Sequence, residues 1–394
     1  MRKAKLSSIA TVNAGGTPSR SNQSYWGGNI PWVKISDIQG KHVQSYEETI
    51  TDEGLKNSTA KLFPKGTILY SIFATLGRVG ILDFDSTTNQ AIAGINITSE
   101  KVDRDYLFYF LRSQEKKVKA IGKGAAQQNI NLKILREWLV PLYSEGYQKR
   151  IVSSLQDVEN VISVKGKILD ELDSLVKSRF MEMFGNPMDE RKWNSKFTEV
   201  VIFNPKKSEV KKDMEIEASF VPMEAIGTDG SFSIKKSGKI RDFYKGYTYF
   251  KDGDVIFAKI TPCFENGKIA IANHCTNKIG FGTTEFHVAR PIPGKTNAEW
   301  VMNLLRNDSL HTYASSKMTG SAGQKRIQTP FFEKLGVYLP PLELQNHYAD
   351  FVHLVDKSRF VVHSRYFLWL NFTFESSTIA YSRVVSIFEC PKRC

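Results

Sequence analysis

The sequence predicts a mixed α/β (α+β) architecture, in which two duplicated globular lobes are joined by long helices that pair with each other. Two observations lead there. The second half of the chain repeats the plan of the first, and a long apolar stripe at helical spacing lies between the halves. Gly124-Ala125-Ala126-Gln127-Gln128-Asn129-Ile130 leads through Val140-Pro141-Leu142 to Gln148-Lys149-Arg150-Ile151-Val152. Ser321-Ala322-Gly323-Gln324-Lys325-Arg326-Ile327 leads through Val337-Tyr338-Leu339-Pro340 to Gln345-Asn346-His347-Tyr348. At a constant shift of 197 residues (345 minus 148), Ala125 meets Ala322, Gln127 meets Gln324, Ile130 meets Ile327 and Val140 meets Val337. A period this long marks a duplicated domain, because solenoid units recur every ~20–50 residues.

The first lobe, residues 1–146, reads as strand-rich. Ile30 to Ile35 follows a glycine-rich turn, and Lys65-Gly66 turns the chain into a second strand through Ile72. Tyr106 to Lys119 predicts a helix with Leu107, Phe110, Leu111 and Val118 on one side. The second lobe, residues 188–344, echoes this order. Phe220 to Met223 stands for Trp32 to Ile35, Asp252 to Ala258 for Lys65 to Ser71, and Trp300 to Ser316 for the late helix.

Between the lobes, residues 147–187 form a spacer helix. Ile151, Leu155, Val158, Ile162, Leu169, Leu172 and Val176 step by 4 and 3, with Lys165 the polar member of the seam. Gly185-Asn186-Pro187 stops the helix. From Gln148 to Phe184 it spans roughly 55 Å at 1.5 Å per residue. Such a stripe needs a partner, and the region 345–394 supplies Tyr348, Val352, Val355 and Val362 at equivalent positions, with Arg359 breaking the seam. The alternative is an ordinary core helix in each lobe.

At 394 residues the chain has length for two cores, and its net charge of +13 suits a polyanion partner, unless the basic surface binds nothing. No signal-like apolar stretch opens the sequence and no run of about 18 apolar residues crosses a membrane. Cys263, Cys275, Cys390 and Cys394 are too few and too late for a disulfide framework, so a cytoplasmic location is expected.

The motifs Gly15-Gly16-Thr17-Pro18-Ser19, Tyr25-Trp26-Gly27-Gly28-Asn29-Ile30-Pro31-Trp32-Val33, Asn89-Gln90-Ala91-Ile92-Ala93-Gly94-Ile95 and Gln148-Lys149-Arg150-Ile151-Val152 carry a family likeness. Gly280-Phe281-Gly282-Thr283-Thr284-Glu285-Phe286 and Pro340-Pro341-Leu342-Glu343-Leu344-Gln345 extend it through the second lobe. Together, over roughly residues 1–360, the chain resembles the specificity subunit of a Type I restriction-modification system. The resemblance implies two target-recognition domains held apart by an antiparallel coiled coil. Each domain would read half of a bipartite double-stranded DNA target. The helices would set the gap and dock two methyltransferase (M) subunits, with restriction (R) subunits joining the full complex. It also implies a non-catalytic chain that binds no cofactor, with S-adenosylmethionine, ATP and Mg on the partner subunits.

Base edges are read by forked or paired donors and acceptors, while phosphate contacts position the protein. In lobe one, Thr17, Ser19, Arg20, Ser21 and Asn22 form a polar loop, and Gln127, Gln128 and Asn129 follow Lys123. In lobe two, Ser321, Gln324, Lys325, Arg326 and Gln328 occupy the matching segment. Both copies place amides and cations here, which favours DNA contact over a merely solvated loop. Lys206 and Lys207, and Lys235 and Lys236, are either phosphate contacts or solvated faces. Arg78 and Lys268 follow the paired turn-strand units and are placed to reach phosphate. Tyr25 and Trp26 read as loop anchors.

Catalytic motifs are weak. Asn204-Pro205-Lys206-Lys207 resembles an adenine methyltransferase motif but lacks the aromatic residue after the proline. Asp105, Glu115 and Lys117 form only a faint nuclease-like trio, and Cys263, His274, Cys275 and His287 lack zinc-site spacing. This leaves a DNA-modifying enzyme as the disfavoured rival, beside a truncated or silent specificity copy. The tail motivates the second. After about residue 362 the sequence turns aromatic and β-branched, a poorer helix composition than Lys165 to Phe184, as if a frame change or recombination had replaced the end.

Overall fold

The computed structural model describes residues 2–115, 118, 130–211, 213–321 and 323–377, with side chains as far as residue 362. These residues fall into two compact units, 2–164 with 366–377 and 165–365.

In the first unit, a five-stranded sheet runs in the order Ala10–Ala14, Ile92–Ile97, Ile68–Ser71, Val79–Leu82, His42–Val43. A three-stranded sheet sets Trp26–Val33 between Glu48–Ile50 and Thr87–Thr88. Strand Ile68–Ser71 is buried at every residue, as a strand covered on both faces should be. Trp26–Val33 ends before Ile35 because Asp37 accepts the Lys34 N–H at 2.8 Å and winds Ile35–Asp37 into a 3₁₀ turn. Helix Arg104–Ser113 gives way to a turn at Gln114, Glu115 and Val118 are again helical, and Lys116, Lys117 and Lys119 of the expected helix lie outside the described residues. Tyr106 to Leu111 are all buried, so the helix has no single apolar side. It is a core helix surrounded by the lobe, capped by the Asp103 carboxylate on the Tyr106 N–H.

The second unit repeats the plan. One four-stranded sheet orders Val201–Phe203, Phe286–Pro291, Val255–Ala258, Ile269–Ile271, and another orders Lys236–Lys239, Glu217–Val221, Ile279–Gly282, Thr248–Lys251. The parallel pairing of Trp32 with Thr87 recurs as Phe220 with Phe281. The terminal pairing of Arg2–Lys5 with Leu139–Leu142 recurs as Ser195–Lys196 with Gly336–Val337. The single helix expected from Trp300 to Ser316 is two, Ala298–Arg306 and Asp308–Ser316. Asn307 breaks them with an extended backbone, and its carboxamide caps the second on the Ser309 N–H.

The spacer is one continuous helix, Glu145–Phe184, closed by Gly185 at φ +78°. Its stripe is not one uniform seam. Ile151 and Val152 join the core of the first unit, with Leu155 packed against it. Ile162 is 50% exposed, and Val158, Leu169 and Leu172 are half-buried. In the second unit Val176 joins Phe180, Phe184, Tyr348, Val352 and Val355 in one core. The lobe cores thus take up both ends of the stripe. Within the second unit the helix runs antiparallel to Leu342–Ser377: Phe184 meets Tyr348 at 5.4 Å between ring centroids, while Asp173 meets Arg359. Arg359, read as a break, is an ion-pair crosslink to Asp173 and Asp356. Val362 is half-buried. The backbone stays helical through Ser377, past the change in composition, and residues 378–394 lie outside the described residues. No helix among the described residues is long and apolar enough to cross a membrane.

Candidate nucleic-acid interface

The segment 321–328 of the second unit is held by its backbone and left open at several side chains. Gly320 and Gly323 have φ of +132° and +80°, turning the chain where a side chain would strain it. Thr261 N–H donates to the Lys325 carbonyl at 2.9 Å, and Ile327 N–H donates to the Lys259 carbonyl at 2.9 Å. His287 Nε2–H donates to the Ile327 carbonyl at 3.0 Å, while its Nδ1 accepts from the Asn204 carboxamide at 3.1 Å. Burial pushes this imidazole down to about 4, so it serves as a neutral tie. Ser321, Gln324, Lys325 and Gln328 are exposed, and their side chains have no hydrogen bond among the described residues.

Arg326 differs from the free donors expected. Its guanidinium forks onto Glu285 at 2.9 and 3.0 Å, and the pair holds the Glu285 carboxyl below the usual carboxylate range. A bidentate pair occupies the donors that would fork onto a guanine, so Arg326 braces the segment.

The first unit repeats the anchor. Ile130 is buried and its N–H donates to the Ile72 carbonyl at 3.1 Å, as Ile327 does to Lys259. Lys123, Gln127, Gln128 and Asn129 lie outside the described residues. In the other polar loop, Arg20 lies 3.6 Å over the Trp26 ring and pairs with Glu48, holding that carboxyl below its ordinary range. Asn22 caps the turn Gln23–Tyr25 through the Ser24 N–H, and Thr17 donates to Gln90. Ser19 and Ser21 bond each other at 2.8 Å. Trp26 Nε1–H donates to the Ser19 carbonyl at 3.1 Å and its ring meets Trp32 edge-on. Gly16 has no room for a Cβ, which would lie 2.3 Å from the Thr59 carbonyl carbon. Much of the loop's polarity is therefore spent on its own shape, with Ser19, Arg20 and Ser21 still reaching solvent.

The isolated cations divide. Arg78 straps the Ile35 and Ile38 carbonyls at 3.2 and 3.4 Å, and Lys268 donates to the Met223 carbonyl at 3.0 Å. Lys207 donates to the Tyr244 and Tyr247 carbonyls. Lys206 and Lys235 are exposed without side-chain partners among the described residues, and exposed Lys236 lies 5.5 Å over the Phe220 ring. The Asn204 carboxamide accepts from Val288 N–H at 3.0 Å and meets His287, so it is not available to a base amine in the way the motif likeness would need. Sequence reasoning missed Lys259, whose carbonyl holds the segment at Ile327, and Tyr244, Tyr247 and Thr284, which line one cleft with it; a single lysine at the end of an apolar strand carries no local signal.

The family model described as the Type I restriction modification DNA specificity domain matches residues 1–174 and again 191–362. The chain is 46% identical over 148 residues to the Type I restriction enzyme EcoEI specificity subunit of Escherichia coli, covering 36% of this chain and 24% of the relative. It is 47% identical over 152 residues to the EcoAI specificity subunit of the same organism, covering 38% and 25%. These matches span only about a quarter of either relative. The EcoprrI specificity subunit, also of Escherichia coli, is 21% identical over 366 residues, covering 89% of this chain and 86% of the relative. Among solved structures, a Type-I restriction-modification system S subunit from M. genitalium shares the fold at TM-score 0.51 and 14% identity, covering 100% of this chain and 96% of that one. A chain solved in work on complex assembly and conformational transition of the type I R-M system shares it at 0.56 and 15%, covering 98% and 96%.

Proposed function

The chain belongs to the Type I restriction modification DNA specificity family, and on that premise we propose that it is the sequence-recognition subunit of a restriction-modification complex. Residues 1–146 and 188–344 serve as target-recognition domains, each reading one half of a bipartite double-stranded site. Residues 147–187 and 345–394 set the gap and dock two methyltransferase subunits, which restriction subunits join. The chain is non-catalytic and cytoplasmic, and S-adenosylmethionine, ATP and Mg belong to its partners. The observation that carries this reading is the duplication itself: the family model matches twice, over residues 1–174 and 191–362, in a chain with net charge +13, and the Ile130 N–H on the Ile72 carbonyl recurs as the Ile327 N–H on the Lys259 carbonyl. Two copies of one anchored unit suit two half-sites better than one catalytic centre.

The test is co-expression with the cognate methyltransferase subunit and mapping of methylated adenines across host DNA. A single two-part motif with a fixed gap is the expected result. Methylation without such a motif sinks the reading. The family match stops at residue 362 while the helix runs to Ser377. DNA binding without methylation therefore points to the second reading, a specificity copy whose tail impairs assembly.

A further inference from the structure

Two clefts of the second unit differ in electrostatic character. One, of about 650 Å³, is lined by Asp173, Asp308, Lys177, Arg306 and Arg359 among others. Its charges are spent on each other: Arg359 pairs with Asp173, and Lys177 with Asp308, while Arg306 donates to the Asp229 and Thr228 carbonyls. The other, of about 570 Å³, is lined by Lys206, Lys207 and Lys259 and by no acidic residue. Lys207 is spent on the Tyr244 and Tyr247 carbonyls and builds the wall. The ammonium groups of Lys206 and Lys259 have no hydrogen bond or ion pair among the described residues. Glu285, whose carboxylate feels the Lys259 charge, is already engaged by Arg326. The hydroxyls of Ser208, Thr284 and Thr329 also line this cleft without partners among the described residues.

Two ammonium groups with no carboxylate in hydrogen-bond contact, set among open hydroxyls, suit phosphate and sugar. The cleft also adjoins the open segment, because the Lys259 carbonyl accepts the Ile327 N–H. Resting on the DNA-reading role of the second unit, we propose that Lys206 and Lys259 hold the sugar-phosphate backbone of duplex DNA. This contact seats Gln324, Lys325 and Gln328 against the base edges. Lys259 is thus a register-setting residue, and its effect is independent of sequence.

The full chain, titrated onto a random-sequence duplex over a series of salt concentrations, tests this. Each of Lys206→Gln and Lys259→Gln lowers the magnitude of the log K against log salt slope by about 0.9, and the double variant by about twice that. Lys259→Arg keeps the wild-type slope, and Thr284→Lys steepens it. An unchanged slope in the folded double variant overturns the proposal. If the double variant does not fold, Thr284→Lys decides, and a slope that it leaves unchanged overturns the proposal equally. Failure of the wild type to prefer a two-part site in the methylation map would instead defeat the recognition role. The slopes on random duplex do not depend on that result.

Discussion

Gln148 and Gln345 hold equivalent posts in the two units. Gln148 Oε1 accepts from the Asp103 N–H at 2.9 Å, and its Nε2 donates to the Lys101 and Tyr143 carbonyls at 2.8 and 2.9 Å. Gln345 Oε1 accepts from the Asn297 N–H at 3.1 Å, and its Nε2 donates to the Lys295 and Pro340 carbonyls at 3.0 and 2.9 Å. Both side chains are buried, at 1% and 0% exposure. Each staples the first turn of a long helix to the cap of its lobe's own helix and to the segment leading into the long helix.

Removing either staple takes the side-chain partner from a part-buried amide and from two carbonyls. Gln148→Ala and Gln345→Ala each cost about 3 kcal/mol of the stability of their own unit. Denaturant unfolding followed by hydrogen exchange checks this. The Asp103 amide gains exchange only in the first variant and the Asn297 amide only in the second. Wild-type protection at Asp103 in Gln148→Ala would refute the staple.

His287 makes the second unit sensitive to acid. Its ordinary value of 6.5 is lowered to about 4 by burial, so between those values the unfolded chain binds the proton and the folded chain does not. Stability therefore falls as pH drops from about 6.5 to about 4, by roughly 3 kcal/mol in all. His311, also lowered by burial, adds in the same direction. Thermal unfolding across this range checks the slope, which His287→Gln reduces. An undiminished slope in that variant would remove His287 as its source.

Arg326 and its neighbours have separable roles. Arg326→Ala weakens DNA binding and leaves the recognised bases unchanged, because its guanidinium is occupied by Glu285. Gln324→Ala or Lys325→Ala relaxes the second half-site by about 1–3 kcal/mol at a position. Methylation mapping of the variants distinguishes these outcomes. A changed second half-site in Arg326→Ala would mean that the brace also reads.

The middle of the spacer tolerates change. A Cβ at Gly166 meets nothing within 4 Å. Inserting one helical turn there adds about 6 Å, or about two base pairs of duplex at 3.4 Å each. The methylated motif should keep both half-sites and gain a longer gap. An unaltered gap would count against the spacer role.

Much of the fold is legible locally. Gly185-Asn186-Pro187 ends the helix at Phe184, and the turn-strand pairs Lys65-Gly66 and Asp252-Gly253 lead into Ile68–Ser71 and Val255–Ala258. The helix at Tyr106 was readable as a helix but not as one buried all round. Helical spacing reports one face, and only the surrounding sheet decides whether the other face is covered. Phe180 and Phe184 continue the step of four from Val176 and were available to the same reading of the stripe.

By itself, the sequence determined the duplication, the length of the spacer helix, its stop and the basic character of the chain. These follow from residue order, helical periodicity and charge, which need no knowledge of distant neighbours. The tertiary structure alone decided which cations are free. Arg326 is claimed by Glu285, 41 positions away, and Arg20 by Glu48, 28 positions away, while Lys206 and Lys259 meet no carboxylate in their cleft. A guanidinium or ammonium binds whichever acceptor the fold brings within about 3 Å, and that competition is settled by packing between segments far apart in the chain.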